Sequence, residues 1–383
     1  PVVSILVPMF REPDIAPRLV ARLSRLDYPR ELLDILLVVE ECDGETQAAL
    51  EAANLPAWMR IVTVPDGPVR TKPRAMNFAL DFARGSIIGV YDAEDAPASA
   101  QIQDVVRRFH DRGPEVVCLQ GVLDFYNART NWLARCFTIE YGAWFRVILP
   151  GLQRLGLPLP LGGTTLFFRR AALEELGRWD AHNVTEDADL GLRLARHGYR
   201  TEMVATVTEE EANCRLLPWI KQRSRWQKGY AITWAVAMRD ARAFRRRIGW
   251  GAFMGTHLMF LSMLAQPILA PVLWSFWALA AGLGHPVIGT AAEGFVPVLI
   301  GLFLAAEGVN LIAGGLAAAT PNRRFLLPWV VTMHAYYPLA AFAAYKAIYE
   351  LAARPFYWDK TAHGLFDGTA GIEEPIEEPA VAA

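Results

Sequence analysis

The sequence predicts an α/β domain built on a mainly parallel sheet, followed by a block of membrane-spanning helices. Three observations carry this reading. Short apolar runs alternate with helical patterns through the first half of the chain, acidic clusters follow those runs, and from Gly249 to Ala352 charged side chains become sparse.

The strand-like runs are Val2 to Val7, Ile35 to Val39, Arg60 to Val64, Ser86 to Tyr91 and Val116 to Gln120. Helical patterns at Ile15 to Leu26, Pro73 to Arg84 and Ala100 to His110 separate them. Strands that alternate with helices imply βαβ units and a parallel sheet. In such sheets ligands sit beyond the carboxyl ends of the strands, where strand order reverses. The groups after each run are therefore the site candidates: Glu12 after the first, Glu40, Glu41 and Asp43 after the second, and Asp92, Glu94 and Asp95 after the fourth. Carboxylates there suit a nucleotide's base and ribose. No GxGxxG or P-loop motif is present, which argues against dinucleotide or ATP binding.

Hydropathy defines the second part. A chain of 383 residues exceeds the usual size of one core. Leu258 to Leu283, Phe295 to Ala319 and Leu326 to Ile348 each reach the roughly 20 residues that span a bilayer. A fourth, re-entrant or interfacial piece fits around Gly251 to Ala265, and Trp250, Trp274, Trp277, Trp329, Tyr336 and Tyr337 suit interfacial belts. Arg242, Arg245, Arg246 and Arg247 precede the first span and put the preceding domain in the cytoplasm. Arg323 and Arg324 mark a second cytoplasmic loop, whereas three simple crossings would leave Arg354 and Lys360 outside. The expected division is 1–212 for the cytoplasmic domain, 213–250 for interfacial helices, 251–352 for the membrane helices and 353–383 for a cytoplasmic tail.

A net charge of −2 excludes a general nucleic-acid footprint. Cys42, Cys118, Cys136 and Cys214 lack the spacing of a zinc site or disulfide frame and read as core filling. The chain opens on Pro1 directly before a strand, as a fragment or processed form would. The acidic tail after Gly368 has the composition of a disordered segment.

Four motifs carry chemistry. Asp92, Glu94 and Asp95 offer hard oxygen ligands for a divalent cation that bridges two phosphates, although three acids at a strand end more often form a solvated turn. Thr185-Glu186-Asp187 opens a helix; capping is its ordinary role, and its functional one makes Asp187 the base that deprotonates an acceptor hydroxyl. A single displacement with one such base inverts the anomeric centre. Lys72 and Arg74, at a helix start, suit phosphate oxygens, and Gly162-Gly163-Thr164-Thr165 lets backbone approach a sugar closely. Gln222-Arg223-Ser224-Arg225-Trp226 supplies an amide, a guanidinium fork and an aromatic plate. Arg225 suits a diphosphate leaving group and Trp226 the apolar face of an acceptor sugar. An interfacial amphipathic helix is the plainer reading of the same residues.

These residues resemble the family 2 glycosyltransferases, specifically the processive, membrane-embedded cellulose synthase-like group with its D, DxD, TED and QxxRW pattern. The resemblance covers roughly Val2 to Trp226 and, in architecture, the spans that follow. It implies a GT-A fold, a UDP-sugar donor, a divalent cation (Mg2+ or Mn2+), a β-linked product polymerised from UDP-glucose and extruded through the chain's own helices. Carried across, Asp92 with Glu94 or Asp95 hold the metal, Glu186 and Asp187 belong to TED, and Gln222, Arg225 and Trp226 match QxxRW. Lys72 joins the donor site, Glu12 with Glu41 or Asp43 holds the uridine, and Gly163 and Thr164 meet the acceptor. The segment Trp358 to Gly364 resembles a terminal signature of bacterial β-glucan and exopolysaccharide synthases. The implied setting is the bacterial inner membrane, with a growing polysaccharide as acceptor, no PilZ-type domain, and regulation or export left to an accessory subunit. Transfer of a single sugar to a lipid carrier, polymerisation of N-acetylglucosamine and an inactive membrane scaffold are the alternatives.

Overall fold

The computed structural model describes residues 1–354 except 184 and 291–292. The late segment Trp358 to Gly364, Lys360 and the acidic tail lie outside the described residues. The N-terminal part is an eight-stranded mixed sheet with helices on both faces. Its strands are β1 (Val3–Met9), β2 (Leu33–Glu40), β3 (Met59–Val64), β4 (Ile87–Val90), β5 (Ala96–Pro97), β6 (Val116–Phe125), β7 (Leu166–Arg169) and β8 (Arg200–Glu210), in the order β3-β2-β1-β4-β7-β6-β8-β5. β1 to β4 pair in parallel, β7 runs antiparallel to both β4 and β6, and β8 returns parallel to β6.

β1 and β2 are apolar almost throughout because each face of the sheet is covered. Ile5, Val7, Ile35 and Leu37 pack under α1 (Ala16–Leu23), α2 (Gly44–Ala52) and α4 (Gln101–Asp111). Leu6, Leu36 and Val38 point the other way, onto α3 (Lys72–Leu80), α7 (Arg170–Glu175) and α8 (Glu186–Arg196). This is the period-two alternation of a strand acting on runs that are apolar on both faces.

Within the sheet part, α5 (Trp132–Ala143) and α6 (Leu149–Arg154) connect β6 to β7; the C-terminal part is helical, with α9 (Leu216–Met238), α10 (Ala241–Ile248), α11 (Trp250–Ala280), α12 (Val296–Ala318), α13 (Met333–Tyr336) and α14 (Ala340–Ala353) following β8. Among the described residues three helical stretches are long and apolar enough to cross a membrane: Trp250–Ala280, Glu293–Ala318 and Pro321–Ala353. The piece anticipated as separate, Gly251 to Ala265, is the first half of the continuous α11. The third stretch is a chain of 3-10 and α turns, broken where Pro328 and Pro338 remove backbone donors.

The two parts are packed together. Phe125 and Phe137 share a core with Trp219, Leu326, Val330 and Tyr336. Arg323 reaches back to the sheet, donating to Asp124 at 2.9 Å and Glu209 at 2.7 Å, while Arg146 holds the other flank of Asp124 at 2.8 Å. Burial alone would raise the Asp124 carboxyl, yet the paired guanidinium groups hold it below the usual carboxylate range. Tyr336, expected at a membrane interface, is instead buried, accepting from Trp219 Nε1 at 3.1 Å and donating to Glu140 at 2.6 Å.

Candidate active site

The carboxyl ends of β1, β2 and β4, the turn before β7, the start of α8 and one face of α9 surround a single cavity of about 830 Å³. Glu12, Lys72, Asp92, Glu94, Gly163, Thr164, Glu186, Asp187, Gln222, Arg225 and Trp226 all line it. Motifs separated by well over a hundred residues of sequence thus face one volume. The cavity continues between the apolar helices, where Met263, Pro267 and Ala270 of α11, Asn310 of α12 and Ala343 of α14 complete its wall.

Lys72 occupies the first turn of α3, after Thr71, whose Oγ1 accepts from Arg74 N at 3.4 Å. Its ammonium pairs with Asp92 and donates to the Gly163 carbonyl at 2.7 Å. Burial would lower the Lys72 pKa, but Asp92, Glu186 and Asp187 outweigh it and raise it. A Cβ on Gly163 would lie 3.4 Å from Asp187 Oδ2 and 3.9 Å from Lys72 Nζ, so this glycine marks where the base, the lysine and the turn converge.

Asp187 sits in the first turn of α8, where its Oδ1 accepts from Ala188 N at 2.7 Å. Burial and the neighbouring Glu186 push its carboxyl up to about 7, while the α8 amides and Lys72 act the other way. Thr185 takes the N-cap position without capping: its hydroxyl engages Thr233 of α9 at 3.2 Å. Gly229 permits that contact, since a Cβ there would meet Thr185 Cγ2 at 2.2 Å.

On α9, Gln222 accepts from Asn213 Nδ2 at 3.0 Å, and Arg225 lies half-buried in the field of Glu186, Asp92 and Glu94. Trp226 stacks on Tyr141, with ring centroids 6.2 Å apart and planes 29° apart. The sequence reading missed Arg223. Its guanidinium grips Glu140 and lies 5.0 Å from the Trp226 ring, fixing the plate from behind.

Three acids differ from expectation. Asp95 is fully buried and turned inward, accepting from Asp92 N at 2.9 Å and from the Thr164 hydroxyl, so Asp92 and Glu94 are the pair that lines the cavity. Asp43 does not line it: Asp43 caps α2 through Thr46 N and accepts from Arg11 N. Glu41 accepts from Asp66 N at 3.2 Å on the exposed surface. Glu40, one residue earlier, lines the cavity instead, held by Arg74 Nη1 at 3.1 Å. Glu210, at the end of β8, also lines the cavity with Oε1 buried and without a hydrogen-bond partner.

No group of three or more His, Cys, Asp or Glu side chains poised around a metal occurs among the described residues. The donors present nonetheless fit a hard divalent cation. Asp92 and Glu94 supply the one or two carboxylates that such an ion takes from protein when phosphates provide other ligands. Glu94 is buried beside Asp92, which together push its carboxyl up to about 7, a crowding of negative charge that a cation relieves.

Residues 1–229 match the family described as glycosyltransferase like family 2. The chain belongs to that family. This glycosyltransferase is 25% identical to the probable glycosyltransferase YdaM of Bacillus subtilis over 60% of its own length and 55% of that protein's, so the chain spans little more than half of that relative. It is 25% identical to a beta-monoglucosyldiacylglycerol synthase of Synechocystis over 98% of this chain and 77% of the relative. It is 24% identical to the cellulose synthase 1 catalytic subunit of Komagataeibacter xylinus over 70% of this chain and 35% of the relative. Among solved structures, the mannosyltransferase PcManGT of Pyrobaculum calidifontis, in complex with GDP-Man and Mn2+, superposes with a TM-score of 0.58 at 22% identity, covering 91% and 88% of the two chains. The fold is GT-A, extended by apolar helices.

Proposed function

We propose that this glycosyltransferase moves a hexose from a UDP-sugar, with glucose favoured, to the hydroxyl of a membrane lipid, inverting the anomeric centre. One observation carries the reading: the cavity that holds Asp187 and Trp226 runs on between α11, α12 and α14, where Met259, Met263, Pro267, Ala270 and Ala343 line it with Ser262, Gln266 and Asn310 among them. A lipid acceptor needs that continuity, because its hydroxyl must reach the base while its acyl part stays out of water. The name of the Synechocystis relative, matched over nearly all of this chain, supports it.

In this reading Glu12 and Glu40 face the uridine, while Lys72, Gln222 and Arg225 face the diphosphate. A divalent cation held by Asp92 and Glu94 would neutralise charge on the departing diphosphate. Asp187 takes the proton of the acceptor hydroxyl as its oxygen bonds to the anomeric carbon, and the carbon–oxygen bond to UDP breaks with its electron pair leaving on UDP. Trp226 carries the apolar face of the sugar. Gly163 and Thr164 shape the opposite wall. The setting is an inner membrane, with the sheet on the cytoplasmic side and any accessory subunit outside this mechanism.

Polymerisation of a β-glucan is the second reading, favoured by the Trp226–Tyr141 stack, a platform along which a chain can slide between additions. Membranes fed UDP-[14C]glucose decide between them. Label extracted into chloroform–methanol as a single-sugar glycolipid supports lipid transfer, and label retained as long chains on a gel overturns it in favour of polymer. UDP release with neither product refutes both.

A further inference from the structure

We propose that α10 is a binding site for anionic phospholipid headgroups that seats the catalytic helix α8. Arg242, Arg245 and Arg246 recur at three- and four-residue spacing, which places them on one face of this eight-residue helix, with Arg247 beside them. All four are exposed, and none forms an ion pair with a carboxylate among the described residues. The opposite face is committed to the protein: Phe244 is 1% exposed and shares a core with Leu192 of α8 and Phe253 and Phe260 of α11.

The position of this arginine face identifies its occupant. Gly249, with φ of +84°, turns the chain directly from α10 into α11. Arg245 lies 5.5 Å from the Trp250 ring that opens α11, and Trp250 is 61% exposed. Leu258 and Leu261, 71% and 43% exposed, then present the apolar flank of α11. An aromatic ring with apolar side chains beyond it marks the water–lipid boundary, so the arginine face meets the headgroup layer. Four fixed positive charges at that depth complement anionic phosphates rather than zwitterionic headgroups.

Occupancy reaches the active site through α8. The Arg196 guanidinium sits 4.9 Å from the Phe244 ring and donates to the Ala237 carbonyl at 2.7 Å, tying the end of α8 to α10 and α9. The other end of that helix carries Glu186 and Asp187. Seating α10 on a charged surface therefore restrains the helix that presents the base.

The full chain, purified and placed in nanodiscs of phosphatidylcholine alone or with about one third phosphatidylglycerol, tests this against the variant R242Q/R245Q/R246Q/R247Q. Native mass spectrometry is expected to show the unaltered protein retaining phosphatidylglycerol over phosphatidylcholine and the variant losing that preference. Melting in phosphatidylcholine should be the same for both proteins. Initial transfer rate should rise about threefold or more with phosphatidylglycerol in the unaltered protein and stay flat in the variant. Equal retention of the two lipids, or unchanged preference in the variant, overturns the site. Displacement of phosphatidylglycerol by millimolar inorganic phosphate would assign the face to free anions and overturn it as well. The rate arm rests on the proposed reaction but the retention arm does not: preference without turnover of any UDP-sugar leaves the headgroup site standing and sinks the reaction instead.

Discussion

Arg223 holds Glu140 with both ends of its guanidinium, Nη1 donating to Oε1 at 2.6 Å, while Tyr336 donates to the same carboxylate. The pair joins α9 to α5 immediately behind Trp226, and Tyr336 extends it to the segment before α14. Glu140→Gln keeps the shape but removes the charge from a site where Arg223 is 14% exposed. Loss of a charge-assisted hydrogen bond there should cost about 2 kcal/mol, read as a lowered melting temperature. Acceptor KM should rise more than donor KM, because Trp226 loses its backing while the diphosphate side is untouched.

Asp187→Asn is expected to reduce transfer roughly 10²- to 10⁴-fold while leaving UDP binding intact. Retained transfer with normal kcat in purified membranes would remove Asp187 from the role of base.

The same residue sets a pH profile. Burial and Glu186 raise the Asp187 carboxyl to about 7, and only its charged form accepts a proton. The kcat/KM for transfer should therefore climb as pH passes upward through about 7 and be lost below it. A profile flat from about pH 5.5 to 8.5 would contradict the assignment.

Chelation with EDTA should stop transfer and Mn2+ or Mg2+ should restore it. Asp92→Asn and Glu94→Gln should raise the metal concentration needed for half-maximal rate. Asp95→Asn should behave differently. Its buried carboxylate accepts from Asp92 N and Thr164, so this change should lower the melting temperature with little shift in metal requirement.

Gly229→Ala places a methyl group 2.2 Å from Thr185 Cγ2, a clash that must push α9 away from the start of α8. Overpacking of this kind costs about 1–3 kcal/mol. Transfer should fall further than stability alone explains, since Arg225 and Asp187 lie on the two helices being separated. Activity equal to that of the parent protein would show that their contact does not set the site.

Much of this arrangement was legible in the sequence because its signals are local. Runs such as Ile35 to Val39 are apolar at every position, as only a strand covered on both faces tolerates, and β1 to β4 form close to the expected limits. The convergence of Asp92, Asp187 and Arg225 followed from strand-end placement and motif order. What escaped was decided by alternation and by contacts distant in sequence. Glu40 and Glu41 are adjacent, and β2 ends between them, leaving the first in the cavity and the second in an exposed turn, a distinction of a single residue that composition does not encode. Arg223 had no role of its own in the sequence because nothing near it announces Glu140, 83 positions earlier. Tyr336 read as an interfacial aromatic because hydropathy registers its apolar ring but not Trp219 and Glu140 waiting to bond its hydroxyl.

Arg323 bears on how this enzyme should be cut. A soluble fragment ending before α11 would look sensible from hydropathy, yet it would strip Asp124 of one of its two cations and leave Trp219 without the hydroxyl it bonds. Such a truncation would keep Arg223 and Tyr141 against the aromatic plate but lose the Tyr336 hydroxyl that braces Glu140, together with the α11, α12 and α14 side of the cavity. Work on this catalyst should keep its greasy half attached.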